Sequence, residues 1–264
     1  MRIDISMTLG QPEIPNTKNG LEFPDCTQEY LLIGKFKLCG VQTKQHLYVP
    51  IDKKAGMDSL EIVFKTAQRK GLSKLPPLSW NLEVTQLECP DGISLFRSSQ
   101  PEGRARGKKD GFLLAPAGCD QYYPETEGTV RSFNFNDGEG LYPFNLTYAM
   151  CFRRTPTTTG LLINAEAFNL PQESDGVTIF AQTDTQCYPQ LPTEGRIDDY
   201  LMIPQAQVQE NEVRANYFCG ESINGYRVLS TMPGPMSIVF HSGSVYRKGT
   251  KSQGFSLDYQ VISS

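Results

Sequence analysis

Five short features recur in the same order along this chain, and the recurrence narrows the fold more than any other property of the sequence. The first series runs Cys26, EYLLI (29–33), LCG (38–40), EIVFKT (61–66) and SWNLEV (79–84). The second runs Cys187, DYLMI (199–203), FCG (218–220), SIVFHS (237–242) and GFSLDYQV (254–261). The offsets are 170 residues from Tyr30 to Tyr200, 180 from Cys39 to Cys219, 176 from Phe64 to Phe240 and 175 from Trp80 to Phe255. Drifts of that size are what loop insertions produce, so the chain reads as two copies of one domain. The longest extra piece, inside DYLMIPQAQVQENEVRANYFCG, is polar and reads as a surface loop.

The copies are unequal. Tyr200 stands 81 positions after Cys119, yet only 29 residues precede Tyr30. The first copy is therefore expected to lack about fifty residues at its start, with the chain truncated there. The divisions that follow are a partial domain over 1–88, a linker over 89–118 and a complete domain over 119–264. In the last stretch Phe255, Leu257, Tyr259 and Val261 alternate with polar residues, which makes it the half-buried final strand of that domain, in the place that SWNLEV takes in the first.

Short alternating runs separated by Gly, Pro, Asn and Asp predict strands near 128–135, 145–153, 161–168, 177–182, 199–203, 226–230, 236–241 and 254–262, the pattern of an all-β antiparallel sandwich. Composition agrees, with 10% aromatic residues, 23 Gly and 18 Pro. No helical periodicity lies between the strands, which excludes a parallel βαβ arrangement. The middle of 89–118 is polar, Gly-rich and basic; its RARGKK (104–109) reads as a solvated loop in preference to a processing site or a heparin-like contact.

A formal charge of −4 gives no basic field for phosphates, so nucleic acid is discounted as a partner. No run of 18 apolar residues is present, and the first residues carry neither the basic nor the apolar region of a secretory signal. Taken alone, that start reads as cytosolic; the seven cysteines, at 26, 39, 89, 119, 151, 187 and 219, argue otherwise. They are too widely spaced for zinc or redox motifs, and dispersed cysteines in a β-rich chain favour disulfides and an oxidising compartment. The expected location is extracellular, with any signal peptide lost together with the missing start. Cys89 is left over, and its expected partner lies upstream; the competing reading is a free or intermolecularly paired thiol.

The order C, DYL(M)I, (Y)FCG, IVF-x-S and closing GF-x-L-x-Y resembles the CUB domain of extracellular proteins. With QYYPETEGTVRSFNFN (121–136), NLTYAMCFRR (145–154) and QHLYVPI (45–51), it is similar to the tandem CUB regions of secreted arthropod proteins. The resemblance implies two jelly-roll-like antiparallel β-sandwich domains, the first N-terminally truncated. It also implies disulfides between first and second and between third and fourth cysteines, which sets Cys119 with Cys151, Cys187 with Cys219 and, in the incomplete copy, Cys26 with Cys39. Many members hold calcium through a Glu, the Asp of the DYL motif and a second Asp after the F-x-S strand. Here the first of those Asp positions is Asp199 in one copy and Glu29 in the other, while the second reads Gly243 and Ala67. A hard cation needs about six oxygen ligands, so Asp199 is the one weak calcium candidate and no metal or cofactor is expected.

No catalytic constellation is found. His46 and His241 sit in strand-like surroundings without a G-x-S-x-G or GDSGG nucleophile and read as surface or half-buried sheet residues. TDTQC (183–187) has Gln186 where an aspartic protease has glycine. Acidic pairs such as Asp198 with Asp199 and Glu125 with Glu127 would need a buried cleft to act as acid and base. Asn145-Leu146-Thr147 is an N-glycosylation sequon. Of the five rings Tyr122, Tyr123, Tyr142, Phe144 and Tyr148, three are expected in the core, with the others left for contact. The expected function is non-enzymatic binding or adhesion to an extracellular protein or carbohydrate through sandwich loops, with no membrane span. The alternative is the non-catalytic arm of a modular secreted protease whose catalytic domain lies outside this sequence.

Overall fold

The computed structural model describes residues 1–14, 24–52, 56–69, 77–87, 111–171, 183–187, 199–243 and 252–264. The expected strand 177–182, Cys89, Asp198, RARGKK and most of the 89–118 linker lie outside the described residues.

Period-two burial marks three of the first six strands. β1 (Arg2–Thr8) buries Ile3, Ile5 and Met7 and turns Asp4 and Ser6 the other way. It lies between β4 (Val41–Tyr48) and β6 (Ser79–Thr85), antiparallel to both. β2 (Tyr30–Ile33) lies between β3 (Phe36–Leu38) and β5 (Ile62–Lys65), again antiparallel.

The remaining strands are β7 (Gln121–Tyr123), β8 (Glu127–Arg131), β9 (Leu146–Phe152), β10 (Thr158–Asn169), β11 (Tyr200–Val208), β12 (Arg214–Phe218), β13 (Arg227–Ser230), β14 (Met236–Ser242) and β15 (Gly254–Ser263). They hydrogen-bond in the order β7-β9-β14-β11-β13-β10-β15-β8, with β12 beside β11; β7 and β9 run parallel and the other pairs antiparallel. β11 makes the corner. Residues 200–202 pair with β14, residues 206–208 pair with β13, and Gln205 between them takes a φ of 50° at a register shift. The ladder thus folds into two facing layers, and Phe240 of β14 meets Phe255 of β15 across the core at 5.4 Å.

The pairing pattern β13-β10-β15 and β12-β11-β14 is the pattern β4-β1-β6 and β3-β2-β5 over again. β7, β8 and β9 have no counterpart among the described residues of the first group. The polar stretch read as a loop is instead mainly the β11–β12 hairpin, because Ala206, Val208 and Ala215 supply a buried face that its polar composition hides. The strand expected over 128–135 stops at Arg131, since Asn134, Asn136 and Asp137 all take positive φ.

Disulfides join Cys26 to Cys39, Cys119 to Cys151 and Cys187 to Cys219. The latter two span 32 residues each, and closing a loop of that length stabilises by about 3 to 4 kcal/mol on the chain-entropy model.

One continuous apolar cluster runs from Ile3, Leu31 and Phe36 to Phe133, Leu161 and Phe240. Phe36 meets Phe133 at 5.6 Å and Tyr148 at 6.1 Å. Around this contact β4 turns polar side chains inward. Gln42 accepts from the Asn134 backbone N–H at 3.0 Å, and Asn134 Oδ1 accepts from Val41 N–H at 2.7 Å. Gln121 Nε2 donates to Gln45 Oε1 at 3.0 Å and to the His46 carbonyl at 3.1 Å. Gly40 fits here because a Cβ on it would stand 2.1 Å from Asn134 Oδ1, and its φ of 72° suits glycine.

Candidate functional site

Three segments converge at one end of the nine-strand ladder. Asp199 immediately precedes β11, Gly243 immediately follows β14, and Tyr142 stands on the approach to β9. Asp199 has no exposed surface. Its Oδ2 accepts from the Tyr142 hydroxyl at 2.5 Å and its Oδ1 from the Gly243 N–H at 2.6 Å. Burial, the Asp199 charge and the hydrogen bond to it hold the Tyr142 hydroxyl well above the ordinary phenol range, so it is a committed donor. Tyr142 is fixed in turn by stacking on Phe144 at 5.3 Å and meeting the edge of Phe240 at 5.2 Å.

This donor set does not fit a calcium ion. Both oxygens of the one carboxylate already accept hydrogen bonds, and the position after β14 supplies an N–H where calcium requires oxygen. Among the described residues no three His, Cys, Asp or Glu side chains gather as a metal group. In the first six strands the corresponding carboxylate is Glu29, immediately before β2. It accepts from Arg69 Nε at 2.8 Å, from Arg69 Nη2 at 2.6 Å and from Gly10 N–H at 2.8 Å. Arg69 foremost holds the Glu29 carboxyl below its usual range, against the opposing effect of burial. A guanidinium fork fills the charge requirement there.

The outer face of the β9-β14-β11-β12 layer is different in kind. Register aligns Thr147, His241 and Tyr200 in one row and Ala149, Val239, Met202 and Tyr217 in the next. Tyr200 stacks on His241 at 4.9 Å and meets the edge of Tyr217 at 5.3 Å, and His241 Nδ1 shares a 2.7 Å hydrogen bond with Thr147 Oγ1. Tyr200, Met202, Tyr217, Val239 and His241 are all partly exposed. At the end of the Thr147 row is Asn145, exposed and at a φ of 54° that asparagine tolerates. The corresponding face of β2, β3 and β5 carries Tyr30 flanked by Lys37 Nζ at 5.1 Å and Lys65 Nζ at 5.4 Å, so it is cationic where the other is neutral.

The two histidines separate. His241 lies partly exposed on the outer face; His46, expected at the surface or half buried, is 6% exposed and accepts at Nε2 from Tyr122 N–H at 3.0 Å. Burial foremost, then the Arg2 charge, lowers its pKa to about 4, with the Asp4 charge opposing. Asp184 of TDTQC accepts at Oδ1 from Asn216 and Tyr217 N–H, anchoring β12. Tyr122, Tyr142 and Tyr148 are buried, while Tyr123 and Phe144 are partly so. The neutral row on the outer face was not legible beforehand, because its residues come from four strands and only register aligns them.

The model of the animal CUB domain matches residues 116–262. No curated protein matches. Among solved structures, the CUB1-EGF-CUB2 domain of human MASP-1/3 aligns at 14% identity over 99% of this chain and 88% of that one, with a TM-score of 0.28. The CUB1-EGF-CUB2 domains of rat MASP-1 align at 11% identity over 98% and 87%, with a TM-score of 0.32. Residues 116–262 make up more than half of the sequence, carry two of the three disulfides and contain all but the last residue of the nine-strand ladder; the chain belongs to the animal CUB domain family.

Proposed function

We propose that this chain is an extracellular recognition protein of two CUB-type sandwiches, 1–88 and 119–264, and that it binds a protein partner through the outer face of β9, β14, β11 and β12. CUB domains are non-catalytic modules that mediate extracellular protein–protein binding, and three disulfides suit an oxidising compartment. The tandem reading is supported by the six-strand pairing pattern that occurs in both halves.

The observation that carries the binding face is the pair of adjacent rows that holds Tyr200, Met202, Tyr217, Val239 and His241. A solvated sheet face ordinarily presents polar residues. Here it presents aromatic, methionine and valine side chains, the residue types that enrich the centres of protein interfaces, with no Lys, Asp or Glu among them. The test places a photo-crosslinking residue at Val239, with Gln260 on the opposite layer as control, and exposes the protein to native extracellular fluid. Protein adducts from Val239 alone, lost on replacing Tyr200 and Tyr217 by Ala in a folded protein, support the reading. Adducts from both faces alike, adducts indifferent to those replacements, or binding to glycans only would overturn it.

A further inference from the structure

We infer that Thr157 is an O-glycosylation site: the tight turn over 155–158 presents its hydroxyl for attachment of an N-acetylhexosamine. The inference rests on the extracellular reading, because that sugar is added in the secretory pathway.

TPTTT (155–159) forms the turn into β10, and threonine crowded around proline is the composition of O-glycosylated segments. Composition offers four hydroxyls, and the geometry selects among them. The Thr158 N–H returns to the Thr155 carbonyl at 3.0 Å and closes a four-residue turn, with Pro156 at its second position presetting the backbone. Arg154 Nη1 donates to the Met232 and Gly234 carbonyls at 2.7 and 2.9 Å, so the turn is fixed against the segment before β14. Thr155, Pro156, Thr157 and Thr159 are exposed on it, whereas Thr158 is buried.

A sugar suits a hydroxyl that a transferase can reach and whose proton the fold does not use. Thr158 is out of reach, and its Oγ1 accepts from the Thr155 N–H at 2.9 Å. Thr159 is exposed, but its Oγ1 donates to the Ile262 carbonyl at 3.2 Å, a bond that glycosylation would abolish. Thr155 Oγ1 lies 3.1 Å from both Thr157 Oγ1 and Thr158 Oγ1. Donation from Thr158 to Thr155 and from Thr155 to Thr157 makes both bonds and leaves Thr157 Oγ1 as an acceptor only. The ether oxygen of a glycoside still accepts, so a sugar on Thr157 leaves every bond of the turn intact.

In the transfer, Thr157 Oγ1 bonds to the anomeric carbon of a nucleotide-linked N-acetylhexosamine. The bond from that carbon to the phosphate oxygen breaks, the nucleoside diphosphate leaves with the electron pair, and the hydroxyl proton passes to it. Thr157 follows the Phe152 end of β9, about 17 Å along the strand from Thr147 at 3.3 Å per residue. Asn145 and Thr157 therefore stand at the two ends of β9, and the sugar on Thr157 is remote from the row that holds His241 and Tyr200.

The full chain is passed through the secretory pathway of animal cells, stripped of N-glycans, cut with trypsin after Arg154 and sequenced by electron-transfer mass spectrometry. N-acetylhexosamine, bare or extended, is expected on Thr157 and not on Thr158 or Thr159. Thr157→Ala is expected to clear 155–159 of sugar with an unchanged near-ultraviolet circular dichroism spectrum, and Thr155→Ala to leave the sugar on Thr157. Secreted protein that carries the Asn145 glycan but no sugar in 155–159 overturns this inference and leaves the extracellular reading standing. Phosphate on Thr157 in place of sugar, or sugar that moves to Thr159 in Thr157→Ala, also overturns it. Reduced cysteines in protein taken from its native compartment would overturn the extracellular reading and this inference together.

Discussion

Arg69 grips Glu29 by two nitrogens, Nε at 2.8 Å and Nη2 at 2.6 Å, on a carboxylate that is only 3% exposed. At the corresponding place before β11, Asp199 is held by a phenol and a backbone N–H. The carboxylate before β2 is thus held by an ion pair and the one before β11 by neutral donors.

Removing one partner of the ion pair leaves the other in a site built for both. Arg69→Met is expected to lower the thermal midpoint by several degrees. Arg69→Lys recovers only part of the loss, because an ammonium cannot reproduce the fork. The double variant Glu29→Gln with Arg69→Met recovers most of it. Since the folded Glu29 carboxyl lies below its ordinary value of 4.5, the stability it confers is complete above that pH and fades as pH falls through the lowered folded value. Thermal melts of wild type and double variant from pH 7 to 3 should therefore converge at the acid end. An Arg69→Met protein that melts like wild type would refute the assignment.

Tyr142→Phe removes the hydroxyl that serves Asp199 Oδ2 and keeps the ring. A buried charged acceptor that loses a hydrogen bond costs about 2 kcal/mol, to be read from urea denaturation. The donor set also predicts that neither calcium nor a chelator moves the midpoint of wild type. A calcium-dependent rise abolished by Asp199→Asn would show that the cluster rearranges to hold a cation.

The strands that alternate cleanly were legible in the sequence, as were the cysteines, because period-two burial and covalent bonds act locally. β14 and β15 stand within two residues of their expected bounds. The seam between β4 and the 121–134 segment was not legible. Gln42, Gln45 and His46 are polar side chains on a strand, and polarity predicts solvent; they are buried because Asn134, Gln121 and Tyr122, each 76 or more residues from the side chain it bonds, supply their partners. The same blindness to distant partners hid the β11–β12 hairpin.

Asn145 is exposed at the turn before β9, with Thr147 of the sequon also exposed. Expression through a secretory pathway is expected to add one glycan here, seen as a mass shift that glycosidase treatment and Asn145→Gln both remove. The sequon lies at the end of the Thr147–His241–Tyr200 row, so the unglycosylated variant should bind the partner at least as tightly as wild type. Tighter binding by the glycosylated form would place the glycan in the interface.

The seam provides an acid response. His46 must stay neutral, because its Nε2 receives the Tyr122 N–H and a protonated ring cannot accept. The charged and titratable groups around it are Arg2 and Asp4 on β1, Tyr48 on its own strand and Tyr122 and Tyr123 on β7; Arg2 opposes a second positive charge and Asp4 favours it. With a folded pKa lowered from 6.5 to about 4, the unfolded chain binds the proton first. Stability is then complete above pH 6.5, declines as pH falls toward 4, and is constant for this group below that. The full loss is about 3 kcal/mol. Urea midpoints should fall across this window in wild type and stay flat in His46→Gln, whose side-chain oxygen still accepts from Tyr122 but does not titrate. The Glu29 response begins only below 4.5, so the two can be separated on one curve. A wild-type curve flat between pH 6.5 and 4.5 would mean that His46 is protonated in the folded protein and that the hydrogen bond to Tyr122 is not made.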